Sequence, residues 1–189
     1  KKKGRKLPKV LNADEFRRFY LIVDRADDVQ HSLMLRLLFF TAVRVSELCN
    51  IQVADVDVEN NKIRINNGKG SKDRYVLFGK SFATALRTHI AAHPDNRWLF
   101  QTRRNSKYTT RRVQQIVKQY AEQAGVKATP HTFRHQAITW LTRHSGMADA
   151  ELQLITGHAR RESLSLYQHV ALDGELEERY QEAMKKADL

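Results

Sequence analysis

The most constraining feature of the sequence is a stretch from Ser32 to Thr41 that is apolar on almost every side. Its centre reads LMLRLLFF at positions 33–40, with a single charged residue, Arg36. A helix that is apolar all round has to be buried, whereas a surface helix shows one apolar face. The run is far shorter than the ~20 residues that span a bilayer, so no membrane segment is predicted. We therefore expect a central helix that is enclosed by other helices.

Hydrophobic periodicity predicts the elements around that helix. Asn12, with Glu15 three residues later, is typical of a capping box, and apolar residues then recur at helical spacing. From Val56 the period changes to two, in the segments VDV, KIRI and RYVLF, which predicts a small three-stranded antiparallel sheet. The predicted fold class is α+β, mainly α. Further helices are predicted at about 81–92, 110–124, 130–144, 148–156, 162–168 and 174–187.

The chain divides into three parts. Residues 1–10 are basic and contain a proline, which is typical of the remnant of an interdomain linker. Residues 11–172 are predicted to form the domain. Residues 173–189 are acidic and predict a C-terminal helix, in which Leu176, Tyr180 and Met184 recur four apart on one side. That apolar side predicts packing against another surface.

The charge of the chain points to a polyanionic partner. Lys and Arg number 33 against 21 Asp and Glu, a formal charge of +12, of which +9 lies on residues 10–172. So much positive charge on the body of a domain favours a nucleic acid as the partner. The one cysteine, Cys49, cannot form an intramolecular disulfide, and no apolar segment follows the basic N-terminus. We expect a reducing, cytoplasmic compartment, with nucleoid association on DNA binding.

Two basic residues lie where the chain changes direction. Arg44, in TAVRVSEL, follows the apolar helix, where it could complement the helix dipole or bind an anion. Glu47, one helical turn later, could orient its guanidinium. Lys69, in NNGKGSKDR, lies between two predicted strands and is flanked by glycines that permit a sharp turn. It could be an ordinary solvated turn residue or project into a DNA groove.

The second half of the chain holds the other candidate residues. His131 and Arg134, in HTFRH, share one face at the start of a helix, where amide donors already favour a phosphate. His158 follows a glycine in LITGHARR, and Tyr167 comes nine residues later in SLSLYQHV. Neighbouring basic residues are candidates for DNA contacts: Lys72, Arg74, Arg111, Arg112, Arg160 and Arg161.

These motifs, in this order, resemble the tyrosine recombinases, or phage-type integrases, and their Xer-like branch most of all. The resemblance covers Leu7 to about Val170. It implies a helical catalytic domain that cuts and rejoins DNA through a 3′-phosphotyrosyl intermediate, without a cofactor or metal, in a synaptic tetramer. It also implies that the C-terminal segment docks on a neighbouring protomer. The sequence departs from the common pattern at Ala42, where glycine is frequent, and in TGH, where LGH is usual.

The resemblance also assigns roles to the candidate residues. Arg44 and Arg134 would clamp the phosphate, supported by Glu47, because permanently charged donors suit the negative charge that builds on nonbridging oxygens. Tyr167 would be the nucleophile, and its phenol needs activation at neutral pH because its reference pKa is near 10. The remaining active-site positions would be Lys69, His131 and His158.

Other functions remain open at this point. A type IB topoisomerase or a telomere resolvase would use similar groups, and a noncatalytic DNA-binding regulator would use the same charge. A binder, however, has no need for the complete set of reactive side chains. A metal-dependent nuclease would need a carboxylate cluster. Asp55 and Asp57 are a close acidic pair on a predicted strand of the basic body, and we expect both to be solvated.

Overall fold

The computed structural model describes residues 10–66, 73–157 and 174–187, and within them a mainly helical fold with one small sheet. This confirms the predicted fold class. The predicted helix at 162–168 lies outside the described residues. The helices are α1 Ala13–Arg25, α2 Val29–Thr41, α3 Val45–Asn50, α4 Lys80–Ala92, α5 Thr110–Gln123, α6 Pro130–His144, α7 Asp149–Thr156 and α8 Gly174–Lys185. The strands are β1 Val56–Asp57, β2 Lys62–Ile65 and β3 Arg74–Leu77.

Helix α2 is the centre of the core, as its composition predicts. Each of its apolar residues from Leu33 to Phe40 is at most 4% exposed. Arg36 is partly buried and extends toward the surface. Its guanidinium lies 2.9 Å from Asp24 and over the ring of Tyr20. No helix in the described parts of the chain is long and apolar enough to cross a membrane.

Side-chain caps fix the beginnings of the helices that frame the core. Asn12 accepts a hydrogen bond from the backbone N–H of Glu15, and the Glu15 carboxylate accepts one from the N–H of Asn12. This confirms the predicted capping box. Thr129 caps α6 and Pro130 occupies its first turn, where a missing N–H costs nothing.

The sheet is antiparallel in the order β1-β2-β3 and is folded from consecutive strands. Ile63 pairs with Val76, and Ile65 pairs with Arg74 at the end that leads to the connection between β2 and β3. That connection contains Lys69, which lies outside the described residues. Because side chains alternate along a strand, Val76 enters the core while Tyr75 remains 46% exposed.

Helix α2 ends at Ala42, which has a left-handed backbone conformation with φ +52°. Such a residue ends a helix and redirects the chain, and glycine usually occupies it. The turn sends Val43 into the core and leaves Arg44 at the N-terminus of α3. The alanine that departs from the family pattern therefore adopts the backbone conformation that favours a glycine.

Helix α8 packs on the domain of its own chain. Its predicted apolar side, formed by Leu176, Tyr180 and Met184, is buried. The Tyr180 hydroxyl lies 2.6 Å from the carbonyl of Phe40 and 2.7 Å from that of Leu77. Docking of the same face on a neighbouring protomer stays a prediction.

Candidate active site

Arg134 is the buried centre of the candidate site. Its guanidinium, in a residue only 2% exposed, donates to the carbonyl of Ala42 and, at 2.8 Å, to that of Thr156. These carbonyls belong to the C-terminal ends of α2 and α7. Burial lowers the pKa of Arg134 to about 10, and the neighbouring charge of Arg44 adds to the effect. The side chain is therefore still charged at neutral pH.

Arg44 is held at the surface beside it. Its backbone N–H donates to Glu47 at 2.7 Å, and its Nη1 donates to the same carboxylate at 3.0 Å. Its Nη2 donates to the carbonyl of Gly157 at 3.1 Å. Half of the side chain remains exposed. The contact with Glu47 is the one that their one-turn spacing predicts, and it leaves a charged face of Arg44 open to a ligand.

Arg74 is a second partner of Glu47. Its Nη1 and Nη2 donate to the two carboxylate oxygens at 2.9 and 3.0 Å, and its side chain is only 11% exposed. Strand β3 directs Arg74 inward, toward Glu47, and the predicted contact of Arg74 with DNA stays a prediction. Burial tends to raise the pKa of Glu47, but hydrogen bonds and charge from Arg74 and Arg44 outweigh it and lower that pKa. We refer to Arg44, Arg74, Arg134 and Glu47 as the arginine cluster.

A cavity of about 770 Å³ opens beside this cluster and brings three of the predicted residues together. Arg44 comes from the start of α3, whereas His131 and Arg134 come from the first turns of α6. The cavity therefore joins cationic and imidazole groups that are about ninety positions apart in the sequence. Three other polar lining residues were not predicted from the sequence: Ser46 of α3, with Gln114 and Lys118 of α5. The only signal for the last two was their spacing of four on the polar face of α5.

His131 is exposed at the entrance, and its ring lies edge-on to that of His135, with centroids 4.2 Å apart. His135 is half-buried. Burial, and then the charges of His131 and Arg134, lower the pKa of His135. Of this histidine pair, only His131 both lines the cavity beside the cluster and is exposed, and its catalytic role stays a prediction.

The remaining predicted site residues fall into two groups. Arg111 and Arg112 are exposed on the first turn of α5, the helix that supplies Gln114 to the cavity, and their role in binding stays a prediction. The others lie outside the described residues, so their positions stay predictions: Lys69, Lys72, His158, Arg160, Arg161 and Tyr167.

The close acidic pair differs from what the sequence predicts. Asp55 is only 6% exposed, not solvated, and accepts hydrogen bonds from Arg64 at 3.1 Å and from Asn66 at 2.9 Å. It ties the short 3₁₀ turn Val53–Asp55 to β2. Asp57 is partly exposed and binds the Asn60 amide instead. Within residues 10–66, 73–157 and 174–187, no three His, Cys, Asp or Glu residues form a group that could hold a metal ion.

Known proteins are similar to this chain in sequence and in fold. A family model described as the phage integrase family matches residues 9–173. The tyrosine recombinase XerA of Thermococcus kodakarensis is 33% identical over 189 residues, which covers 98% of this chain and 64% of the relative. The chain thus spans less than two thirds of the length of this relative, and the same holds for XerA from two Pyrococcus species.

Two solved structures support the same assignment. The crystal structure of XerA recombinase matches with a TM-score of 0.73 at 30% identity, over 94% of this chain and 65% of that one. The XerH site-specific recombinase, bound to a palindromic difH substrate in a post-cleavage complex, matches with a TM-score of 0.70 at 25% identity. That match covers 87% of this chain and 50% of XerH. From the family model, the relatives and the shared fold, we conclude that this chain belongs to the phage integrase family and resembles its Xer tyrosine recombinases.

Proposed function

We propose that this chain is the catalytic domain of a site-specific DNA recombinase that cuts and rejoins strands through a covalent phosphotyrosine. One observation carries the proposal. Arg44, His131 and Arg134, which are far apart in the sequence, line a single cavity. Two fixed guanidinium groups beside an exposed imidazole suit a phosphodiester, because attack on phosphorus builds negative charge on the nonbridging oxygens.

The proposed reaction balances without a cofactor. The Tyr167 hydroxyl attacks the scissile phosphorus, its proton passes to a base such as His131, and the bond to the 5′ oxygen breaks. The departing 5′ oxygen takes a proton, which Lys69 is suited to supply. The phosphotyrosine then retains the energy of the phosphodiester, so a second 5′ hydroxyl can displace Tyr167 and reseal the strand. In this scheme His158 is a further donor to the phosphate.

We also propose that the substrate is double-stranded DNA, bound by several copies of the chain that form a synaptic tetramer. The formal charge of +12 supports a polyanion, and XerH is bound to a palindromic substrate. A palindrome presents the same site twice, which suits a symmetric assembly. Exposed Arg111 and Arg112 on α5 are candidates for contacts with the duplex. Nucleoid association would follow from this binding.

The test is covalent capture on nicked DNA. A labelled library of duplexes, with random sequence around a nick, is incubated with the chain, and adducts are resolved under denaturing conditions. We expect an adduct that forms equally well in the presence of EDTA. Mass spectrometry should map the linked residue to Tyr167. Tyr167→Phe should bind DNA but form no adduct, because only the attacking oxygen is removed.

Tyr75→Phe is the matched control, because Tyr75 is an exposed tyrosine that lies outside the cavity, and this variant should form adducts normally. DNA binding without any adduct would favour the noncatalytic regulator. Cleavage that EDTA abolishes and a divalent ion restores would favour a nuclease. Either result contradicts the proposal.

A further inference from the structure

We propose that Arg74 is a positioning residue. It binds the Glu47 carboxylate, so that Glu47 does not neutralise the positive charge that Arg44 offers to the phosphate. This role is distinct from DNA contact, and its catalytic consequence rests on the proposed function. Arg74 is the first residue of β3, next to the connection that contains Lys69. The alternation along β3 exposes Tyr75 and directs Arg74 toward α3, where it meets Glu47 in a two-bond contact.

The carboxylate of Glu47 is fully used in this arrangement. It accepts four hydrogen bonds, two from Arg74 and two from Arg44, one of which comes from the Arg44 backbone. A carboxylate offers about four lone-pair positions. Without Arg74, two positions become vacant inside a pocket where the Glu47 side chain is only 9% exposed. Among the described residues, the other cation paired with Glu47 is the Arg44 guanidinium, already 3.0 Å away, and it could fill them.

The net charge of the arginine cluster shows why competition between Arg44 and Arg74 for Glu47 matters. The three arginines and one glutamate of the arginine cluster carry a net charge of +2. Removal of Arg74 leaves +1, and the negative Glu47 then neutralises one of the two arginines proposed to bind the phosphate. Charges interact more strongly at a partly buried site than in water. Arg74 therefore supplies positive charge that the phosphate uses without contacting the phosphate itself.

Arg74 also lies against the turn that holds the other side of Arg44. Gly157 ends α7 with φ +66°, and its carbonyl accepts the hydrogen bond from Arg44 Nη2. A Cβ built on Gly157 would lie 2.7 Å from Cζ of Arg74, closer than side chains approach one another. Glycine at this position thus satisfies both the backbone conformation and the close approach of Arg74. The same arginine contacts both groups that orient Arg44.

The experiment compares single-turnover adduct rates on nicked DNA for four variants. Arg74→Ala should react on the order of tenfold to a hundredfold more slowly, because even loss of a donor that touches the reacting group costs about 10²–10³. Its noncovalent affinity for the same DNA should fall much less than its adduct rate, because contacts with the rest of the duplex remain. Arg74→Lys should regain part of the rate by restoring charge. The double variant Glu47→Gln/Arg74→Ala should be faster than Arg74→Ala, because the competing carboxylate charge is gone.

Arg64→Ala is the matched control. Arg64 lies on the neighbouring strand and pairs with buried Asp55 at 3.1 Å, so its loss breaks a similar ion pair away from the cavity. It should leave the adduct rate unchanged. If the double variant is as slow as Arg74→Ala or slower, the pair has only a structural role and the proposal is overturned.

A second measurement tests the coupling of Arg74 to Arg44 without requiring the proposed reaction to occur. Nitrogen-15 spectra of the arginine side chains, with the Arg44 signal assigned from Arg44→Lys, report its surroundings without DNA. We expect Arg74→Ala to shift that signal and Arg64→Ala to leave it in place. An unshifted Arg44 signal overturns the proposal. If the signal shifts but the wild-type chain forms no adduct, the coupling stands and the proposed function fails.

Discussion

Ala42 has a left-handed backbone conformation, which favours glycine, at a buried position that its methyl group fills. Its backbone has to be left-handed to end α2, yet it is completely buried and its carbonyl accepts a hydrogen bond from Arg134. A left-handed conformation costs an L-residue about 1–2 kcal/mol. The residue therefore carries backbone strain at a position that helps to hold the central arginine of the site.

A comparison of two alanine substitutions measures this strain. Ala42→Gly should leave the free energy of unfolding close to wild type, because relief of strain offsets the loss of a buried methyl group. Ala137→Gly is the matched control, since Ala137 is equally buried but lies within α6. It should destabilise, as glycine in a helix interior costs about 1 kcal/mol in addition to the methyl group. The two variants should differ by about 2 kcal/mol in urea denaturation, and equal losses would contradict the assigned strain.

Sequence spacing predicts contacts within one element better than contacts between elements. The contact between Arg44 and Glu47 follows from positions three apart in a helical turn. The contact between Arg74 and Glu47 depends on how β3 packs against α3, and nothing in the motif GKGSKDR specifies it. Asp55 shows the same limit. Its burial arises because Arg64 and Asn66 converge on it from β2 and the adjoining residue.

At the scale of elements, caps and periodicity predicted helix boundaries to within a few residues. Asn12 and Thr129 identified the beginnings of α1 and α6 because side-chain caps are local. The destination of α8 could not be predicted in the same way. Its apolar side, with Tyr180 at the centre, fits its own domain or a second protomer equally well, since both would bury the same surface.

Helix α8 offers a direct test of its packing on its own domain. Tyr180→Phe removes a hydroxyl that lies between two buried carbonyl groups, those of Phe40 and Leu77. We expect a loss of about 1–3 kcal/mol in the free energy of unfolding, because a buried acceptor then lacks its donor. Tyr75→Phe, at an exposed tyrosine, should change stability by less than about 0.5 kcal/mol. Equal stability of both variants in dilute solution would show that α8 does not dock in this way.

At the scale of the whole molecule, the folded chain should lose stability in mild acid. Burial lowers the pKa values of His31, His89 and His135 below their ordinary value. The unfolded chain therefore binds more protons as the pH falls below about 6.5, and stability decreases with it. Above that pH both states are neutral at these positions, and the effect disappears.

His89 is the position at which to test this dependence. It is only 4% exposed, and its Nε2 lies 2.9 Å from the carbonyl of Leu99. His89→Gln can retain that hydrogen bond through its amide but cannot take up a proton. The free energy of unfolding, measured from pH 7.5 to 5, should decline less steeply in the variant than in the wild type. A parallel decline would show that His89 does not contribute.

The charge of the whole molecule was the sequence property that most directly indicated the proposed nucleic-acid partner. The excess of positive charge extends through residues 10–172, so it could be recognised without the fold. The cavity could not, because it forms only where the start of α3 meets α5 and α6. Family motifs supplied the candidates, and tertiary structure determined which of the described ones share a surface.

The two carbonyls that bind Arg134 hold its guanidinium in place in the absence of any substrate. They lie at the C-terminal ends of α2 and α7, where aligned peptide dipoles place partial negative charge. These helix ends stabilise the buried Arg134 cation against the repulsion of Arg44 and Arg74 while no phosphate is bound. The chain can therefore fold with its anion-binding groups already assembled, before any ligand binds. In the proposed function, DNA would meet a preorganised receptor, so little of its binding energy would be consumed in building one.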